Sequence, residues 1–212
     1  MENNVDEMIN KLVENNSDNK EVLSDDEKNY MELEKELRTK SININEYSYY
    51  FFKINTACSK GTIKNPLRFY LALKNASVVV RADENGSQFD VYKNLVNTVN
   101  YLISEYAKRY ISDDNNLDSY NEALQASILQ NGYITFEGFK ESYYLFELYV
   151  LAGIKGNKFF DFVSLLNEVY VKTDKINEII DLTNMKTRLS DYIQTYKNDY
   201  GKKFDFNKKF TK

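Results

Sequence analysis

Histidine and tryptophan are missing from this chain of 212 residues, and cysteine and proline occur once each. Without histidine there is no general base poised near neutral pH and no commonest metal ligand, so a metalloenzyme or a triad hydrolase is not expected. One cysteine, Cys58, excludes an internal disulfide and a thiolate cluster for zinc or iron. With one proline and 7 glycines the chain is too poor in turn residues for a β-sandwich or barrel. No P-loop, dinucleotide fingerprint or Gly-x-Ser-x-Gly elbow occurs, so neither catalysis nor a cofactor nor a small-molecule substrate is expected. The first residues lack the positive and apolar regions of a signal peptide, and no apolar run approaches the span of a bilayer. The expected location is cytoplasmic, or virion-associated if the source is a phage.

What is present in quantity is aromatic bulk, with 18 tyrosines and 13 phenylalanines. Much of it gathers between Tyr133 and Val171. Phe139, Tyr143, Phe146 and Val150 recur at helical spacing, with Leu145, Leu148, Tyr149 and Ala152 beside them, so the helix must be buried on several sides. Gly153-Ile154-Lys155-Gly156 then turns the chain into a second apolar face of Phe159, Phe162, Val163, Leu166, Val169 and Tyr170. This is the expected central hairpin. Asn, Lys, Ile and Tyr are abundant, a bias seen in low-GC bacteria and their phages.

Charge is unevenly placed. Residues 1–36 carry twelve acidic and four basic side chains, so an acidic arm precedes a mildly basic body within a net charge of -4. Val5, Met8, Ile9, Leu12 and Val13 form a short amphipathic pattern, and Ser24 with Glu27 matches a capping box for a helix from about Asp25 to Arg38. Tyr47, Tyr50, Phe51, Ile54 and Cys58 trace the next helical face, where Cys58 reads as a small apolar residue. Asn65-Pro66 opens another helix, and Ser77-Val78-Val79-Val80 is either a short strand or a frayed helix end. Tyr92, Leu95, Val99, Leu102 and Tyr106 predict a long helix from about Asp90 to Ile111, and Leu117 to Ile128 one that closes at Asn131-Gly132. Thr135 is the expected N-cap of the hairpin. From Thr173 to Asn198 the pattern allows one long helix or two joined near Thr183-Asn184.

Four stretches invite chemistry. The dozen residues from Ser59 to Tyr70 loosely resemble a segment of some low-GC plasmid and phage replication initiators, but no winged-helix pattern precedes them and the family is not assigned. Lys60, Lys64 and Arg68 there, with Lys74 and Arg81, belong to a basic run without acids from Lys53 to Arg81 that could hold a phosphate or simply be solvated. Asp114 to Gln125 fails the calcium-loop pattern, because Ser119 stands where glycine is needed and Gln125 where glutamate is. The Gly153 to Gly156 turn has the Gly-x-x-Gly form of a backbone clamp, with Lys155 and Lys158 as phosphate contacts, yet a plain helix-to-helix turn is favoured. The tail interleaves Lys202, Lys203, Lys208, Lys209 and Lys212 with Phe204, Phe206 and Phe210, which suits stacking on bases, filling a groove on a protein, or a solubilising end.

The expectation is an all-α, irregular bundle of about seven or eight helices around the aromatic hairpin, with an acidic arm (1–40), a helical core (41–199) and a basic aromatic arm (200–212). Its expected function is non-catalytic docking through the acidic N-terminal and basic aromatic C-terminal arms onto a larger protein assembly or a second copy of itself, in the manner of a phage or mobile-element adaptor or a host-directed inhibitor. A nucleic-acid-binding accessory factor using residues 53–81 and the tail is the alternative.

Overall fold

A computed structural model describes residues 25–81, 86–111, 113–169, 171–172 and 176–200. The chain divides into two compact units, Met1–Tyr110 and Ile111–Lys212. The break falls inside the segment read from sequence as one core, and the hairpin between Tyr133 and Val171 belongs to the second unit. The amphipathic pattern at Val5 to Val13, the Ser24 capping box and residues 201–212 of the tail lie outside the described residues, while Tyr200, read from sequence as the start of the extended arm, is the last residue of a helix.

The described part of the first unit contains α1 (Asp25–Thr39), β1 (Ser41–Asn43), α2 (Ile44–Ser59), α3 (Pro66–Asn75), β2 (Ser77–Val79) and α4 (Ser87–Tyr110). α1 is part of this core rather than a free arm, because Leu33 and Leu37 are buried. β1 runs straight into α2 through a capping box. Asn43 Oδ1 accepts from the backbone amides of Asn45 and Glu46 at 2.9 and 3.1 Å, and the Glu46 carboxylate accepts from the Asn43 amide at 2.8 Å. Asn65 caps α3 as its spacing predicts, accepting from the Arg68 amide at 3.4 Å ahead of Pro66. The β-branched run resolves as strand: β2 pairs in parallel with β1, Ile42 opposite Val78, and the Ser41 and Ser77 hydroxyls meet at 3.1 Å. Helix α4 buries Val99, Ile103 and Ala107, an i, i+4 ridge turned slightly from the Leu95, Leu102 and Tyr106 stripe, which is only half-buried. Small Ala107 on that ridge suits close helix packing.

The second unit repeats this order. It contains α5 (Asp113–Asn131), β3 (Ile134–Thr135), α6 (Phe136–Ala152), α7 (Asn157–Glu168), β4 (Val171–Lys172) and α8 (Ile176–Tyr200), and its two strands are again parallel. The match goes down to single residues. Buried Ile42 opposite Val78 corresponds to buried Ile134 opposite Val171, N-cap Asn43 to N-cap Thr135, and left-handed Gly61 (φ 72) to left-handed Gly153 (φ 68). From Ile42 to Gly61 these equivalents keep one constant spacing, which is longer by one position at Val78. Tyr47, Phe51, Ile54 and Ala57 of α2 thus correspond to Phe139, Tyr143, Phe146 and Tyr149 of α6, and all eight are buried.

Aromatic rings fill the second core. Phe159 stacks on Tyr149 at 5.0 Å between centroids, and Phe146 meets Tyr192 edge-on at 5.3 Å. The segment Ile176–Tyr200 is one continuous helix, so the long-helix alternative holds. Asp113 to Asn131 is helical throughout, a backbone that leaves no room for a calcium loop.

Candidate binding cleft

Helices α1 and α2 of the first unit frame an open cleft of about 450 Å³. Its lining from α1 is Asn29, Tyr30, Glu32, Leu33 and Glu36, residues about one helical turn apart on one flank. From α2 come Tyr49, Tyr50 and Lys53. The capping box at Asn43 sets where α2 begins, and hence which of its residues face α1. Three tyrosine rings, two carboxylates and one ammonium group therefore converge in one place.

Their contacts are specific. The Tyr50 hydroxyl donates to Glu36 Oε2 at 3.0 Å, and Lys40 Nζ lies 2.6 Å from Glu36 Oε1. Lys40 first, and then the Tyr50 hydroxyl, hold the Glu36 carboxyl below the usual carboxylate range. Burial, and then acceptance by Glu36, push the Tyr50 phenol up. Lys53 Nζ sits 5.9 Å from the centroid of Tyr30 and 5.8 Å from that of Tyr49, within reach of the negative ring faces. Tyr49, at the cleft, and Phe52, outside its lining, each stand 60% exposed on α2.

Each unit also carries a buried carboxylate. In the first, Glu34 is 3% exposed and takes Arg38 Nε on one oxygen at 3.0 Å and Arg68 Nε on the other at 2.6 Å. In the second, Glu147 is 1% exposed and pairs with Arg188, at 2.6 Å to Nε and 2.8 Å to the terminal nitrogen. Burial, then the Glu147 charge beside it, pushes the Tyr143 phenol far up. Charge-assisted pairing of this kind satisfies ions that burial would otherwise expel.

The described residues singled out in sequence fall in both units. Arg68, suggested by its sequence context as a phosphate contact, pairs with Glu34 at 2.6 Å. Lys60 and Lys64 are exposed at the end of α2 and in the connection to α3. Lys155 is exposed in the turn between α6 and α7, and Lys158 pairs with Asp118 at 2.7 Å. Gly153 is left-handed at the end of α6, whereas Gly156 is extended (φ -179) ahead of α7, which is a helix-to-helix turn. Lys202, Lys203, Phe204, Phe206, Lys208, Lys209 and Phe210 lie outside the described residues. Cys58 is half-buried, and burial pushes its thiol up, away from nucleophilic character.

Neither the cleft nor the buried carboxylates were legible in sequence. The signal for Glu147 was a lone charge within the apolar run from Ser142 to Ala152. Tyr50 sat in a stripe that helical periodicity assigns to the core, and Tyr49 lay beside that stripe. Among the described residues no group of His, Cys, Asp and Glu could hold a metal ion, and no helix is long and apolar enough to cross a membrane. No protein-family model, curated protein or solved structure matches this chain.

Proposed function

We propose that this chain is a non-catalytic interaction protein that docks onto a protein assembly, as a phage or mobile-element adaptor or a host-directed inhibitor would. The observation that carries the reading is the face of α2, where Tyr49 and Phe52 stand 60% exposed beside an aromatic cleft. Large rings left in water cost the free chain apolar hydration, and tyrosine in particular recurs at the anchor positions of protein interfaces. The aromatic, basic tail at 200–212 adds a second set of anchors with lysines for a rim.

Binding to nucleic acid draws less support, because Arg68 and Lys158 are each paired with a carboxylate of this chain. The deciding experiment is solution mass by light scattering, for the intact chain, the chain lacking 200–212, and the Tyr49→Ser/Phe52→Ser double variant, with and without nuclease. A defined assembly that either change dissolves, insensitive to nuclease, supports docking. A monomer carrying nuclease-sensitive, salt-labile material overturns it in favour of nucleic acid.

A further inference from the structure

We infer that the cleft between α1 and α2 is an aromatic cage for a lysine side chain displayed by a protein partner, with Lys53 occupying that position until the partner arrives. The inference rests on the docking reading above and names the chemistry of its partner. Three features point to a cation. The walls are the rings of Tyr30, Tyr49 and Tyr50, whose faces are negative, and Glu32 stands on the same rim beside Glu36, whose charge already pairs with Lys40. The volume of about 450 Å³ is in the range of small-ligand sites. Above all, the cage already receives an ammonium group, since Lys53 Nζ lies near 5.9 Å from two of its rings.

The internal repeat supplies a control within the same molecule. The α6 residues equivalent to Tyr49, Tyr50 and Lys53 are Glu141, Ser142 and Leu145, so the shared scaffold of cap, strand pair and glycine turn does not require a cage. Lys53 is half-buried and tethered by a flexible stem, which lets it swing out and yield the ring faces to an incoming ammonium. Tyr50 is held by Glu36 and fixes one wall, while the exposed Tyr49 is free to close over the guest.

The test uses the full chain, labelled with 15N, and four probes: Nα-acetyl-lysine methylamide, its Nε-trimethyl form, its neutral Nε-acetyl form, and spermidine. The expected result is saturable shifts at residues 29–36 and 49–53, with the trimethyl form about fivefold tighter than the acetyl form. Tyr49→Ala should weaken the trimethyl probe by about fivefold and Lys53→Met should tighten it by about threefold. Tyr50→Phe, which keeps the ring, should bind within about twofold of the original. Equal affinity for charged and neutral probes overturns the cage, as does indifference to Tyr49→Ala or weakening by Lys53→Met. Spermidine binding more than about tenfold tighter than the lysine probes would assign the cleft to a free polyamine and overturn the partner. If the assembly seen by light scattering persists while no cation binds, docking stands and the cage falls.

Discussion

Tyr47 keeps its ring in the first core, 1% exposed and edge-on to Tyr92 at 5.5 Å, yet its hydroxyl is buried with no hydrogen-bond partner among the described residues. An orphan of that kind costs on the order of 1–3 kcal/mol. Tyr47→Phe keeps the ring and removes the orphan, so it should raise stability by about 1 kcal/mol in urea denaturation; a loss of stability would show that the hydroxyl is satisfied. Glu34 is the opposite case. Glu34→Gln leaves Arg38 and Arg68 facing each other across a neutral amide, and the expected loss is about 2–3 kcal/mol, moderated because both guanidinium groups keep some water. Arg68→Met should cost less, since Arg38 still neutralises the carboxylate. Sequence could not distinguish these residues, because Tyr47 and Glu34 differ from their neighbours only in what the other helices bring to them.

Helices were legible at the level of elements wherever an apolar stripe met a capping signal, as at Asn65-Pro66 and Thr135. The strands were harder. Two or three residues carry too little alternation to register, and Ile42 finds Val78 only after an intervening helical hairpin closes. The turn of the second hairpin gives a sharp comparison between two glycines. Gly153 has φ +68, a conformation that strains any other residue, and Gly153→Ala should cost about 1 kcal/mol. Gly156 is extended, with nothing within 4 Å of an added Cβ, so Gly156→Ala should stay within about 0.5 kcal/mol of the parent. Equal losses would mean that flexibility of the turn, rather than handedness, matters. The cleft was not legible at this scale, because it exists only where a flank of α1 meets a flank of α2, and each flank alone reads as ordinary amphipathic helix.

The described residues form two copies of one arrangement, and each copy has its own buried rings. Residues 1–110 and 111–212, expressed separately, should each unfold cooperatively in urea with helical circular dichroism; a fragment that shows no transition would mean that one copy depends on the other. Tyrosine burial makes stability depend on alkaline pH. Desolvation first, and then nearby polar groups, push the phenols of Tyr47, Tyr70 and Tyr143 above their ordinary value of 10.0. The unfolded chain therefore releases these protons first as pH rises. The stabilisation they represent is complete below about pH 10 and is lost progressively above it. Phenolate absorbance should show a late group of tyrosines that ionises together with loss of helix, whereas separate transitions would contradict the linkage. The repeat escaped sequence reading because its common features are a cap, a strand pair and a glycine, while the core residues diverged in size. That divergence has a consequence during folding. Tandem copies can exchange equivalent segments and trap a swapped chain. Here the hairpins would match at Asn43 and Thr135, yet buried Ala57 in one stands where buried Tyr149 stands in the other. A hairpin inserted into the wrong copy either forces a phenol ring into the space of a methyl group or leaves a ring-sized void, so the difference in core volume disfavours the exchange.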